Sequence, residues 1–255
     1  KIVDKNKLED ITQITNQDEL DILVEHFVDH IESNEYTLRE THMYTMCLTD
    51  KYYIPYDKWI RVGWALKNTH DSMFITWMAF SAQSSKFNFD KISDFYDMWC
   101  RFDRSNDDGL TKRSIIYWAK TDNNQSYQII REDTIYYFVE KIIENDTDFD
   151  FSQVLFHMYK DDFTCVSIKR DIWYIYTNHR WEENEGGTNL RMAISKELHN
   201  RYIKALKKSE YDHDDKAAAA RKAGDTAKSD MHQFKRDKRS AAQIYRQVRE
   251  EQTPT

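Results

Sequence analysis

Residues 59–68 read WIRVGWALKN, residues 74–87 FITWMAFSAQSSKF, residues 98–102 MWCRF and residues 111–120 TKRSIIYWAK. Trp59, Trp64, Trp77, Trp99 and Trp118 fall within this stretch. The spacing predicts four helices, near 57–68, 71–82, 90–102 and 111–121. On the third, Ile92, Phe95, Tyr96, Trp99 and Phe102 recur along one face. The fourth starts at Thr111 after RSNDDG (104–109), a turn by composition. Helices joined by such short loops pack antiparallel, which gives a compact orthogonal bundle with the tryptophans in its core.

Outward from this bundle, QDELDILVEHFVDHIE (17–32) places Leu20, Leu23, Val24, Phe27, Val28 and Ile31 at helical spacing, and Asn16 with Glu19 forms a capping box. A second helix runs from about Leu38 to Leu48, before Pro55 punctuates the chain. Residues 126–143 form another, with Ile129, Ile130, Ile135, Phe138, Val139 and Ile142 as its buried face. The polar linker ENDTDFD (144–150) leads to a helix near 151–160. FTCVSI (163–168) and IWYIYT (172–177) are rich in β-branched and aromatic residues and read as a β-hairpin, extended by RWEE (180–183). Gly186 and Gly187 precede a helix from Asn189 to about Lys208. Residues 216–255 are Ala-rich and basic, with high helix propensity. Alone they would make a marginal helix that needs a partner or nucleic acid to order it.

Composition narrows the function classes. The chain has 255 residues with 40% hydrophobic and 14% aromatic content, but only 5 Gly and 2 Pro. That is enough to bury one large or two small cores, and it disfavours many-turned β folds and glycine-rich phosphate loops. The expected fold is mainly α: an orthogonal helical bundle, a small α+β module with a β-hairpin, then a basic helical tail. No apolar run is long enough to span a membrane. The first residue is Lys1, without initiator Met or signal-like segment, so a fragment of a longer protein is expected. Cys47, Cys100 and Cys165 are far apart and odd in number, which argues for a reducing compartment. The net charge of −7 conceals an asymmetry: residues 1–215 hold 27 Lys/Arg against 39 Asp/Glu, and residues 216–255 hold 10 against 5.

No catalytic constellation emerges from the residues. There is no GxxxxGK[ST] and no GxGxxG; Gly186-Gly187 is read as a chain break before a helix. His26 and His30 share a helix, but Phe27 stands where a metalloprotease helix needs Glu. Setting Gly109 at the sixth position of a calcium loop puts Arg104 first and Ile115 twelfth, where acids are required. Asp148 and Asp150 form a DxD, read as helix capping rather than a metal site. Catalytic residues and metal ligands are therefore both expected to be absent. Clustered cations are the remaining signal. Arg101, Arg104, Lys112 and Arg113 flank one turn of the bundle, Arg180, Arg191, Lys196 and Arg201 accompany the second module, and Lys235, Arg236, Lys238 and Arg239 crowd the tail. Such clusters suit phosphate contact, or else form a solvated face.

Two patterns go beyond composition. Trp59, Val62, Gly63, Ala65, Leu66, Trp77, Ser81, Trp99, Thr111, Trp118 and Ala119 follow, in order, the pattern of the primase C-terminal domain found behind viral and plasmid primases. Residues 159–198, with Trp173, Tyr174, Arg180-Trp181 and Leu190-Arg191, resemble the segment preceding the superfamily 3 ATPase in poxvirus-type helicase–primases of nucleocytoplasmic large DNA viruses. Together they cover roughly residues 40–208. The stretch after about 215 does not look like the family's usual approach to the ATPase.

The resemblance implies five segments: an N-terminal helical segment (1–35), the primase C-terminal domain (36–122), a connecting helix and linker (123–150), a pre-ATPase module (151–215) and the basic tail (216–255). Trp59, Gly63, Trp77, Trp99, Trp118, Trp173 and Trp181 would be its structural motif residues, with Gly63 permitting close helix packing. It implies a non-catalytic region linking primase to ATPase, helping to assemble a homo-oligomeric ring and guiding DNA. ATP and magnesium would be used elsewhere in the parent protein. Replication factors are possible partners, and no membrane is involved. The expected location is the viral factory of the host cytoplasm or the virion, without secretion. A scaffold built from these modules and a stand-alone DNA-binding module are the alternatives.

Overall fold

A computed structural model describes residues 11–31, 35–103, 109–145 and 147–222, with positions 228, 231 and 233 beyond them. The chain divides into two compact units, residues 1–132 and 133–255, and is mainly α, as the sequence predicts. The first unit contains α1 (Gln17–Asp29), α2 (Tyr36–Met46), the single turn α3 (Asp50–Tyr53), α4 (Tyr56–Thr69), α5 (Phe74–Ala82), α6 (Ile92–Cys100) and α7 (Lys112–Asp122). The next helix, α8 (Asn124–Asn145), runs across the division.

The first unit is organised around α5. Its sequence, FITWMAFSA, offers no polar face, and Phe74 through Ser81 are all buried. A helix apolar all round is stable only at a centre, and α5 packs against α1, α2, α4 and α6. Trp77 is fully buried there. Its ring stacks on Trp59 with centroids 4.6 Å apart and meets Trp99 at 5.6 Å and Phe102 at 5.5 Å. Helix α4 approaches this closely because position 63 is Gly: a Cβ there would lie 2.8 Å from Trp77 Cε2. The Trp59 indole N–H donates to Ser81 Oγ at 2.7 Å, and the Ser81 hydroxyl donates to the Trp77 carbonyl at 2.6 Å. The Trp77 N–H has no acceptor among the described residues, a cost on the order of 1–3 kcal/mol that the close packing of the ring outweighs.

Several expectations need correction. Trp64 is not core: it lies on the outer side of α4 and is 43% exposed. Glu19 does not close a capping box on Asn16. Asn16 Oδ1 accepts from the Glu19 N–H at 3.0 Å, but the Glu19 carboxylate reaches one residue further back, to the Thr15 N–H at 2.9 Å. Ile129 is 55% exposed. It precedes Ile135 by six residues, which is not a whole number of turns at about 3.6 residues per turn, so Tyr127 takes the inner position and stacks on Tyr44 at 5.3 Å.

In the second unit, Ile135, Phe138, Val139 and Ile142 of α8 are buried, and Phe138 stacks on His157 of α9 (Asp148–Tyr159) at 4.6 Å. The β region has three strands rather than a hairpin: β1 (Phe163–Ser167), β2 (Ile172–Thr177) and β3 (Arg180–Glu185) form an antiparallel sheet in that order. RWEE is thus the start of a full strand. It is joined to β2 by Asn178 and His179 at φ of 50° and 63°, the left-handed pair that a two-residue hairpin turn requires. Trp173 sits beneath Gly187, where a Cβ would lie 3.4 Å from the ring and the backbone has φ of +64°. Asn184 is buried, and its Oδ1 accepts from the Asn189 N–H at 3.2 Å, fastening β3 to α10 (Thr188–Ala193). A π turn (Ile194–Leu198) leads into α11 (His199–Lys222). That helix continues well past Lys208, the expected end, because the alanines at 217–220 are strong helix formers, and Ala217 is buried.

One polar pair bridges helices within the first core. The ring of His42 and the hydroxyl of Thr76 meet at 3.0 Å (Nδ1 to Oγ1) between α2 and α5. Burial, with a smaller effect from the Arg39 charge, pushes the His42 imidazole down to about 4. The folded state therefore holds His42 neutral, while an unfolded chain protonates it near the usual 6.5. Its contribution is intact above about pH 6.5 and is lost as pH falls to about 4, amounting to roughly 3 kcal/mol. Thermal melts from pH 7 to 4 should show a steeper loss of stability in the wild type than in His42→Gln. Separately, Gly63→Ala should cost about 1–3 kcal/mol through overpacking against Trp77, more than Ala returns in helix propensity. Chemical denaturation should show that penalty shrinking when Trp77→Phe is already present, because the clashing ring atoms are then gone.

Candidate nucleic-acid interface

Helices α4 and α7 pack side by side and run antiparallel. At one end Asn68 Nδ2 donates to the Leu110 carbonyl at 2.8 Å and the Lys112 N–H donates to Thr69 Oγ1 at 3.1 Å. Toward the other end the Arg61 guanidinium lies 5.7 Å from the centroid of Trp118. Thr111 begins α7 firmly: its hydroxyl accepts from the Arg113 N–H, and Ser114 Oγ accepts from the Thr111 N–H, a capping box. At the C-terminal end of α7, the Asp122 carboxylate accepts from the Thr49 hydroxyl and N–H and from Lys51 Nζ at 2.8 Å. Burial raises the Asp122 carboxyl, but Lys51 and Thr49 together outweigh it and hold it below its usual value.

The inner faces of these helices are apolar, with Val62, Ala65, Leu66, Ile115 and Ala119 buried. Their outer faces carry cations and rings. Lys58, Arg61 and Trp64 lie at three-residue spacing on α4, and Arg113, Tyr117 and Lys120 at four- and three-residue spacing on α7, all exposed. Tyr117 is 66% exposed. Trp118 is half-buried between the helices, where Tyr52 of α3 packs on it at 5.6 Å and Lys58 Nζ in turn lies 5.2 Å from the Tyr52 ring.

The residues predicted for phosphate contact meet different fates. Arg101 ends α6, exposed, with Nε donating to the Asp97 carbonyl at 3.1 Å. Lys112 is half-buried, with Nζ 3.4 Å from Thr37 Oγ1. Arg113 is exposed in the first turn of α7. In the second unit, Arg180 is paired with Glu182 at 2.7 Å and Arg191 with Asp171 at 3.5 Å. Arg104, Lys235, Arg236, Lys238 and Arg239 lie outside the described residues. Of the motif tryptophans, Trp59, Trp77 and Trp99 are buried, Trp118 and Trp173 half-buried, and Trp181 is 47% exposed, packed on Tyr176 at 5.2 Å. Trp181 therefore belongs to the open face of the sheet rather than to a core.

Among the described residues, Lys58, Arg61, Arg113 and Lys120 have no carboxylate at ion-pair distance. Reading the sequence picked out only Arg113 of these. The signal that could have found the rest is the polar face opposite each apolar stripe, where cations recur at helical spacing. Other candidate chemistry is plain. His26 and His30 are exposed and stacked at 3.9 Å, with His30 Nδ1 2.8 Å from the His26 carbonyl. Thr147, not an Asp, caps α9: its hydroxyl accepts from the Asp150 N–H at 3.2 Å, and Asp148 and Asp150 fill the first turn, where negative charge suits the helix dipole. No group of three or more His, Cys, Asp or Glu suited to a metal occurs among the described residues. No described helix is long and apolar enough to cross a membrane.

Comparison with known proteins agrees with the bundle and the sheet module. Residues 42–119 match the family Primase C terminal 2, and residues 152–253 match D5 N terminal like. The second match takes in the basic stretch from 216, which the resemblance read from the sequence did not reach. The chain is 29% identical over 148 residues to "Putative helicase L207/L206" of Acanthamoeba polyphaga mimivirus, covering 58% of this chain and 15% of that protein. It is 27% identical over 144 residues to "Putative helicase 022R" of Frog virus 3 (isolate Goorha), covering 54% of this chain and 14% of that protein. A primase-associated helical bundle followed by a pre-helicase module defines the class. In this order the two mark the central region of a D5-type helicase–primase.

Proposed function

We propose that the chain is the non-catalytic connector of a viral DNA-replication helicase–primase, joining a primase to an ATPase, contributing to ring assembly and guiding DNA between them. The observation that carries this reading is the order of the two matched modules, a primase C-terminal bundle followed by a D5 N-terminal-like module. In the parent protein ATP and magnesium would act in the flanking domains, within the viral factory of the host cytoplasm or in the virion. Assembly into a ring is supported by the open face of the β2–β3 pair, where Tyr176 and Trp181 expose paired aromatic rings. Partly exposed aromatics of this kind are enriched at the contacts of oligomers. Replication factors would be further partners of the assembled ring.

Two measurements test the reading. The 255-residue chain alone should hydrolyse no ATP and synthesise no primer; either activity would overturn its non-catalytic role. In the full-length parent, Tyr176→Ala with Trp181→Ala should shift the ring toward smaller species in native mass spectrometry and lower DNA unwinding in step. An unchanged oligomer distribution would remove ring assembly through this face.

A further inference from the structure

We propose that the outer faces of α4 and α7 form a track for a single-stranded polynucleotide, with Lys58, Arg61 and Arg113 contacting phosphates and Trp64 and Tyr117 stacking on bases. The inference deepens the DNA-guiding part of the reading above and rests on it for the source of the strand. Binding by the chain itself is a separate property.

Four observations converge on this surface. First, the two helices lie antiparallel, so their outer rows form one continuous strip roughly 20 Å long, the length of the fourteen-residue α4 at about 1.5 Å per residue. Second, the strip is basic within an acidic chain. Helices α4 and α7 carry Lys58, Arg61, Lys67, Lys112, Arg113 and Lys120 against Asp57 and Asp122. The Asp122 carboxylate is already occupied by Lys51 and Thr49. Asp57 is the one acid left on the outer side of α4.

Third, the cations on the strip are not neutralised. None has a carboxylate at ion-pair distance, whereas Lys51, Lys67, Lys141, Arg180 and Arg191 each sit against one: Asp122, Asp71, Glu144, Glu182 and Asp171. Among the described residues, a phosphate has no carboxylate to compete with for Lys58, Arg61 or Arg113. Fourth, large rings are exposed between these cations. Trp64 and Tyr117 flank the strip, and Arg61 lies over Trp118, so its planar guanidinium can extend the stacking surface while its outward N–H groups face a phosphate.

This pairing of cations with open aromatic faces is how proteins hold single strands without reading sequence. Every base has a π face, and only an unpaired strand can offer one. A protein partner would have to bring acidic groups and flat apolar surface into register with two helix rows, whereas a single strand carries a charge and a π face at every nucleotide. The free polynucleotide is the occupant that satisfies both the charge and the rings.

The test uses the whole 255-residue chain and fluorescence anisotropy with labelled oligo-dT, oligo-U and a duplex of mixed sequence, over a range of salt. A reference form, with Lys235, Arg236, Lys238 and Arg239 changed to Gln, removes the tail cluster as a competing site. The reference form should bind oligo-dT, more tightly than duplex, with affinity that falls as salt rises. Arg61→Gln and Lys58→Gln should each flatten the dependence of log K on log salt by about 0.7. Tyr117→Ala and Trp64→Ala should each weaken binding about fivefold to a hundredfold, with Tyr117→Phe close to the unaltered protein. Melting temperature checks that these exposed substitutions leave the fold intact. Preference for oligo-dT over oligo-U points to a template strand, and the reverse to an RNA primer; both support the track.

Absence of binding by the reference form, a preference for duplex, or strip variants that bind as well as the reference would each overturn the inference. If the strip variants lose binding in the isolated chain but unwinding by the parent is unchanged, the track stands and its role in guiding DNA falls. If the chain never binds, the track falls while the connector reading, which rests on module order, is untouched.

Discussion

The first unit depends on the fit of the Trp77 ring against the missing side chain of Gly63. Helix α5 has no polar face, so it must be enclosed, and the bulkiest group on it is the indole of Trp77. Enclosure brings α4 close enough that any Cβ at position 63 would enter the van der Waals shell of that ring. Once that contact forms, Trp59 stacks on Trp77 and Trp99 closes from α6. A core of large flat rings has few alternative arrangements, because each ring fills a slot of one shape.

The same contact determines what remains outside. With Gly63, Val62, Ala65 and Leu66 turned inward, helical geometry leaves Lys58, Arg61 and Trp64 on the outer side. Helix α7 packs by Ile115 and Ala119, which turns Arg113, Tyr117 and Lys120 outward in the same way. Trp118 lies between the two sets, half core and half surface, and Arg61 covers it. The burial that stabilises the bundle therefore also builds its cationic, aromatic exterior. The His42–Thr76 pair inside the core shows the other side of this economy, since a buried imidazole is tolerated only while it stays neutral.

The second unit is built on different terms. On one face of its sheet Phe163 meets Tyr159 edge-on, Trp173 lies beneath Gly187, and Asn184 accepts from the Asn189 N–H. The opposite face leaves Tyr176 and Trp181 open. Basic residues accompany this unit too, but Arg180 and Arg191 sit against carboxylates of their own sheet and turn.

The amino-acid sequence by itself determined the elements of the bundle, because apolar periodicity is a local property and Trp, Gly and Ser at fixed spacings match one helical module. It also made the glycine at 63 legible as a packing position and the β-rich segment legible as strands. It could not show that RWEE completes a third strand rather than a frayed hairpin, since pairing depends on the register with β2. Nor could it tell Trp64 and Trp181 from the buried tryptophans, because hydrophobicity says a ring prefers burial and not whether its helix face turns inward. The juxtaposition of Arg61 with Trp118, 57 positions apart in the chain, and the neutralisation of Arg180 and Arg191 were decided only by tertiary structure. Charge pairing depends on distance through space, and sequence separation does not encode that distance.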